Sequence, residues 1–339
     1  MLGNLITKML RVPFADDLHC HLRQGDMMSL VTPLIRQGVT SCKQAGEYRK
    51  QLMDIEPKVD FLMTLYLSHK ISIDDLRENA VINHVQGIKC YPVGMTTNSD
   101  HGFKSIEEFY PLFNEMERMG LSLHVHGERP GSSPLSSEAD FINHVEGVSK
   151  AFPKLKVVAE HVSTKASLEA IGRIPNLAAS VTPHHLFLIT EDVLEHTEGI
   201  TQENIVQHVK NPHLYCKPLA QGPDDREALL EAVRSRSSKI FLGSDSAPHT
   251  IEAKMSGKPP AGIFTQPFVM NYLATVFNQL GRLDYLEEFA CRNGSRFLGL
   301  PEKEPEWIEV LDETMVVPSD INGVIMPFLA GKQIVKIRC

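Results

Sequence analysis

Short apolar runs alternate with amphipathic stretches along most of the chain. Val59 to Leu67 is apolar on both alternating faces and reads as a strand covered on both sides; Val85 to Pro92, Leu121 to Glu128, Lys156 to Ser163, Leu177 to Thr182 and Lys239 to Asp245 read as further short strands. The segment Asp17 to Arg23 adds an opening strand. Between these runs, apolar residues recur at helical spacing. They predict helices over Met27–Gly38, Ala45–Leu52, Asp74–Asn79 and Ser136–Lys150, and one that Asp224 caps and that runs to about Arg236. Ser105-Ile106-Glu107-Glu108 reads as a capping box, opening a helix with Ile106, Phe109, Phe113, Met116 and Met119 on one face.

Strand and helix in alternation predict an α/β fold with a parallel sheet. Ionisable residues gather at the strand C-terminal ends, which favours a (β/α)8 TIM-like barrel over a doubly wound open sheet. No Gly-x-Gly-x-x-Gly opens a first helix, as the doubly wound alternative would want. The chain reads as one domain over 1–339, with an extension from about 316 that forms short strands or turns outside the barrel. The strands number seven, where a barrel needs eight. The chain passes from Gly38-Val39-Thr40 directly into Ser41-Cys42-Lys43-Gln44, so the second strand segment is expected to be lacking between Thr40 and Ser41.

Composition narrows the function classes. The net charge is −8 over 339 residues, which argues against a nucleic-acid or membrane-surface binder. No apolar run reaches membrane-spanning length, and Met1 to Lys8 lacks the apolar core and cleavage site of a signal peptide. The six cysteines (Cys20, Cys42, Cys90, Cys216, Cys291 and Cys339) form no Cys-x-x-Cys. They read as the reduced thiols of a cytoplasmic protein.

The candidate chemistry lies at five strand ends. His19 and His21 are one residue apart on a strand, so they share a face and Cys20 points the other way. Lys89, His126, His161 and Asp245 end four other strands. His161 alternates with Glu160 and is placed on the face of Ala159 and Val157, expected to be the inner one. Singly, each has an ordinary explanation: a hydrogen-bonded core histidine at 126, a helix cap at 245, a lysine reaching solvent at 89. His124 shares the face of His126, and only one of them need be a ligand. Together, imidazoles and a carboxylate are the nitrogen and oxygen ligands that zinc takes in catalytic sites. No cysteine stands among them, which speaks against a closed structural zinc site.

These motifs resemble a family. Asp17-Leu18-His19-Cys20-His21-Leu22-Arg23, Lys89-Cys90-Tyr91-Pro92 with Thr96-Thr97-Asn98, His124-Val125-His126-Gly127-Glu128, Glu160-His161-Val162-Ser163-Thr164, His213-Leu214-Tyr215-Cys216 and Gly243-Ser244-Asp245-Ser246-Ala247-Pro248-His249 are similar, in order, to those of the class II dihydroorotases of the amidohydrolase superfamily. The resemblance spans nearly the whole chain. It implies two Zn2+ per subunit, with His19, His21 and Asp245 on one, His126 and His161 on the other, and Lys89 carboxylated to bridge them. It implies reversible closure of N-carbamoyl-L-aspartate to L-dihydroorotate in pyrimidine (UMP) synthesis. A bridging hydroxide would attack the ring amide carbonyl, with Asp245 as general base and then acid. Arg23 would clamp the substrate carboxylate with His249 as a second partner. The backbone of Leu214 and the Ala261-Gly262 turn would contact the ring, and Thr96 and Thr97 would close over it. A homodimer is the family expectation.

The resemblance fails at one place. Family members carry a second strand ending in a Met-Pro-Asn type motif whose asparagine meets the substrate carboxylate, and this chain has none after Thr40. Two other functions compete. A hydantoinase-like cyclic amidohydrolase would have no need of the Arg23 clamp, because its ring substrates are uncharged. A non-catalytic dihydroorotase-like subunit would keep the metals without turnover.

Overall fold

The fold is built on six central parallel strands. In the computed structural model, residues 10–21, 39–95, 99, 102–302 and 306–338 are described. Nine strands are named among them: β1 (Leu10–Pro13), β2 (Met63–Tyr66), β3 (Val85–Cys90), β4 (Ser122–Val125), β5 (Lys156–Ala159), β6 (Leu177–Val181), β7 (Ile240–Leu242), β8 (Trp307–Val316) and β9 (Gln333–Arg338). The strands β2 to β7 lie side by side in chain order, every pair parallel. Parallel neighbours need a crossover, and helices supply it.

Leu18–His21 continues the sheet beyond β7. The Leu18 N–H donates to the Leu242 carbonyl (3.4 Å), Asp245 N–H to His19 O (2.8 Å) and His21 N–H to Ser246 O (3.0 Å), with a parallel bridge from Cys20 to Ser246. At the opposite edge, the N–H of Tyr66 on β2 donates to the carbonyl of Val39 (2.7 Å). Ser41 follows at once as the cap of the helix Cys42–Ile55, its Oγ accepting from Gln44 N–H. Among the described residues, Val39 and Thr40 are therefore all that stands in the second barrel position. Among the described residues the seven-strand reading holds, with a stub beside β2. The predicted helix Met27–Gly38 lies outside the described residues.

The core splits by face. Outward side chains of the strands, such as Leu65, Ile88, Cys90, Leu123, Val125, Val157 and Ala159, pack with the helices in the main cluster. Val158, Ala178 and Phe241 fill the inside with Leu18. A third cluster, including Tyr215, Tyr272, Val317 and Phe328, underlies the loops after β6 and the tail.

Several boundaries differ from the sequence reading. The helix predicted at Asp224 starts at Pro223 with Gly222 as its cap residue, since proline suits the first helical turn. The capping box at Ser105 does not form: its hydroxyl goes to the Glu107 carboxylate and a short 3-10 turn, Ile106–Phe109, precedes the helix Tyr110–Met119. The tail is more ordered than expected. β8 begins at Trp307, ahead of 316, and pairs antiparallel with both β1 and β9.

Candidate active site

The two histidines of the opening segment point the same way, as a strand requires. His19 Nε2 and His21 Nε2 stand 3.3 and 3.0 Å from the same Asp245 oxygen, and one ligand atom from each of the three residues lies within 4.8 Å of the others. Asp245 reaches this place because its backbone turns sharply at the strand end (φ 45°). Gly243 permits the close approach. A Cβ there would sit 2.7 Å from His19 Cβ and 2.7 Å from Ser180 Cβ. Asp17 pins the turn by accepting from Ser244 N–H (2.8 Å) and Ser244 Oγ–H (2.5 Å).

His126 and His161 form the neighbouring pair, His126 Nδ1 lying 3.1 Å from His161 Nε2. The rings of His19 and His161 are 5.0 Å apart, so the two groups adjoin. The facing argument for His161 fails at its detail. Val157 and Ala159 pack outward with the helices, and Glu160 is the inward residue by alternation. His161 turns in as well because the strand has ended and its φ is 43°. The His124 question also closes. Its Nδ1 meets Glu160 (2.6 Å) and its Nε2 meets Ser122 Oγ (2.8 Å), so neither nitrogen is left to face a metal.

Lys89 is buried, and its amine has no hydrogen-bond partner, nor does His161 Nδ1, among the described residues. A buried ammonium without a partner is costly. Burial lowers the Lys89 pKa, against the opposing pull of Glu160 and Asp245. A neutral amine is the form that reacts with carbon dioxide. An orphaned amine in the field of His19, His161, Glu160 and Asp245 fits a carboxylated lysine between two cations.

Glu160 is the functional residue that the motif reading passed over. Its buried carboxylate accepts from His19 Nδ1 (2.6 Å), from His124 Nδ1 (2.6 Å) and from the Ser180 hydroxyl. Burial opposes its charge, yet His19, Lys89 and these hydrogen bonds hold its pKa well below the ordinary carboxylate value. Glu160 thereby fixes the proton on His19 Nδ1 and turns Nε2 toward Asp245. Desolvation also opposes charge on Asp245, and hydrogen bonds from His19 and His21 hold its pKa well below the usual value. His19 is raised to about 9 against burial and Lys89, chiefly by Glu160, so a metal at Nε2 must displace the proton on that nitrogen. Glu128 supports His126 in the same manner, through Nε2 (2.6 Å) and Ser137 Oγ (2.8 Å). The sequence signal was a glutamate directly before His161 and another two residues after His126.

Four predicted substrate contacts come together on one side. His249 Nε2 is 3.0 Å from the Ala261 carbonyl, and Gly262 N–H donates to Tyr215 O (2.9 Å), next to Leu214. Gly262 is required by its φ of 142°, and a Cβ would lie 2.4 Å from the Ala247 carbonyl. Buried Lys254 ties the two loops, donating to Tyr215 O (3.1 Å) and Pro260 O (2.9 Å). Arg23, Thr96 and Thr97 lie outside the described residues.

No family model matches the chain. A probable dihydroorotase of Schizosaccharomyces pombe is 36% identical over 338 residues, covering 94% of this chain and 96% of its own. An alignment of that length over 94% of a 339-residue chain includes positions this chain lacks, in keeping with the missing strand. The crystal structure of dihydroorotase from Saccharomyces cerevisiae in complex with 5-fluoroorotic acid has a TM-score of 0.86 at 31% identity, covering 97% of this chain and 98% of that one. An L-hydantoinase from Arthrobacter aurescens, at 16% identity and a TM-score of 0.74 over 97% of this chain and 84% of its own, shares the TIM-barrel fold.

Proposed function

The chain belongs to the dihydroorotase family, and from that premise we propose that it works as a two-zinc enzyme closing N-carbamoyl-L-aspartate to L-dihydroorotate and reopening it. The family membership makes it a cyclic amide hydrolase of pyrimidine synthesis. The zinc count and the residue roles are our reading.

The observation that carries it is the convergence of His19, His21 and Asp245 beside a buried Lys89 amine with no partner among the described residues. His19 and His21 with Asp245 would hold one zinc, and His126 with His161 the other. Lys89, as its carbamate, would join them. Carboxylation converts a neutral amine and carbon dioxide to an anion and a released proton, so two dications can share the product. Bound zinc supplies Lewis acidity and lowers the pKa of water. The protein supplies the rest. Asp245 stays ionised, so it can accept the proton of the attacking water and return it to the ring nitrogen as the amide bond breaks. Arg23 pairs with the substrate carboxylate through two parallel N–H donors. His249, the Leu214 backbone and the Ala261-Gly262 turn hold the ring, and Thr96 and Thr97 close over it. A homodimer in the cytoplasm belongs to the same reading.

The test is turnover by the purified chain with zinc and bicarbonate, in both directions, alongside hydantoin and with zinc content measured. Dihydroorotate turnover with two zinc ions at the proposed ligands supports the reading. Preference for hydantoin overturns the substrate assignment. Zinc without turnover favours the non-catalytic subunit and points to the junction at Thr40-Ser41.

A further inference from the structure

A second set of ligand-type side chains stands at the end of β6, apart from His19, His21 and Asp245. His184, His185 and Cys216 are buried, and one donor atom from each lies within 4.8 Å of the others. β6 runs into Thr182, which caps the short helix Pro183–Phe187 through the N–H of His185. That turn sets two adjacent imidazoles against the loop that follows Pro212.

The donors converge. His185 Nε2 lies 3.1 Å from the Pro218 carbonyl and 3.9 Å from Cys216 Sγ, and Cys216 Sγ lies 3.3 Å from the same carbonyl. Metal–donor bonds of 2.0–2.3 Å at a tetrahedral zinc hold neighbouring donors about 3.3–3.8 Å apart. The three separations straddle that range. His184 supplies the second observation. It has no measurable exposure, and neither ring nitrogen has a hydrogen-bond partner among the described residues. A neutral imidazole carries one N–H donor and one acceptor nitrogen, and buried polar groups rarely go without partners.

We propose that His184, His185, Cys216 and the Pro218 carbonyl form a closed binding site for a zinc ion separate from the catalytic pair. Two imidazoles and a thiolate suit zinc over magnesium or calcium, and four protein donors leave no open position for substrate. Binding breaks the Cys216 S–H bond and the His185 Nε2–H bond in favour of bonds to zinc. The thiol proton leaves to solvent. The imidazole proton moves to Nδ1, 2.9 Å from Thr182 Oγ1, which can accept it. Burial pushes the Cys216 thiol upward, so the ion displaces a proton and its affinity rises with pH. A metal here fastens the Leu214-Tyr215 loop to the end of β6. The site stands or falls independently of the roles proposed for His19, Lys89 and Asp245.

The test compares metal content and cobalt spectra of the full-length chain, its Cys216→Ser and His184→Gln variants, and a Cys20→Ser control. Each site variant is expected to hold one zinc fewer than the parent. The Co2+-substituted parent should show a near-ultraviolet sulfur-to-cobalt charge-transfer band. Cys216→Ser should abolish it and Cys20→Ser should leave it. Equal zinc content in parent and both site variants overturns the proposal, as does a band that survives Cys216→Ser. If Cys216→Ser does not fold, His184→Gln carries the stoichiometry alone, with the same two outcomes.

Discussion

Replacing Glu160 separates the charge it contributes from the space it fills. In Glu160→Gln the amide oxygen can face His19 Nδ1–H and Ser180, while the amide N–H2 faces His124 Nδ1. His124 can adapt, because its Nε2 is 2.8 Å from Ser122 Oγ, whose own proton goes to the Gln86 carbonyl (3.0 Å). A tautomer change gives every group a partner, so the fold should survive at a cost of about 1–3 kcal/mol, the difference between charged and neutral hydrogen bonds. What is lost is the negative charge behind His19. Removing such a support typically weakens metal affinity about 10–100-fold, which is about 1.4–2.7 kcal/mol. Glu160→Ala differs. It strands the buried donors of His19, His124 and Ser180, at about 1–3 kcal/mol each when unsatisfied, partly offset by relaxation. The expected total is on the order of 3–5 kcal/mol. Chelator competition reads zinc affinity, and urea midpoints read stability. Wild-type zinc affinity in the glutamine variant would refute the link from Glu160 to the ligand. Wild-type stability in the alanine variant would refute the network's energetic role.

Lys89→Ala should lose bound zinc and most turnover, because no other described side chain can bridge two cations there; near-normal rates at full zinc content would exclude the carbamate. Gly243→Ala places a methyl 2.7 Å from both His19 Cβ and Ser180 Cβ, so urea denaturation should show a loss of about 1–3 kcal/mol. Gly147→Ala, with nothing within 4 Å of the new methyl and inside the helix Ser137–Ala151, should instead gain about 0.5–1 kcal/mol, and equal shifts in the two would discredit the packing argument. Glu115 is held at about 2 by hydrogen bonds from Arg77 and Arg118. Its stabilising contribution is complete above its unfolded value of 4.5 and is lost as pH falls through about 2. Denaturant midpoints should therefore fall more steeply over that window in the parent than in Glu115→Gln, and parallel slopes would contradict the sign.

The candidate site was legible because its residues sit at strand ends, where a period of two decides facing. That rule placed His19 and His21 correctly, and both reach Asp245. It misled at His161, because a left-handed backbone after β5 reverses the alternation, and no local residue type announces it. Glu160 stayed hidden for the same reason: alternation had assigned it outward. The capping signals also misled: Asp224 stands two residues past the actual cap Gly222, and Ser105 opens only a 3-10 turn ahead of the helix at Tyr110, since a nearby proline or carboxylate competes for the same turn. β8 was missed because its pairing with β1 joins Leu10 to Val310, and short-range pattern carries no record of such a contact.

The missing strand and the metal site bear on different halves of the chemistry. Every proposed metal ligand comes from Leu18–His21, from the ends of β3, β4 and β5, or from the turn after β7. Strands β2 to β7 and Leu18–His21 form one continuous hydrogen-bonded array. The break falls between Leu18–His21 and β2, where only Val39 O meets Tyr66 N–H among the described residues. An array anchored on one side by the Cys20–Ser246 bridge can hold His19 and His21 against Asp245 without its second-strand neighbour. The carboxylate-binding side has no such redundancy. Arg23, the proposed clamp, stands two residues after His21 in the sequence, and the asparagine that the family resemblance would add has no counterpart in the sequence after Thr40. The defect should therefore register in KM for carbamoyl-aspartate before it registers in zinc content. A chain that binds zinc fully and saturates poorly with substrate would follow from this division, whereas a chain deficient in zinc but normal in KM would contradict it.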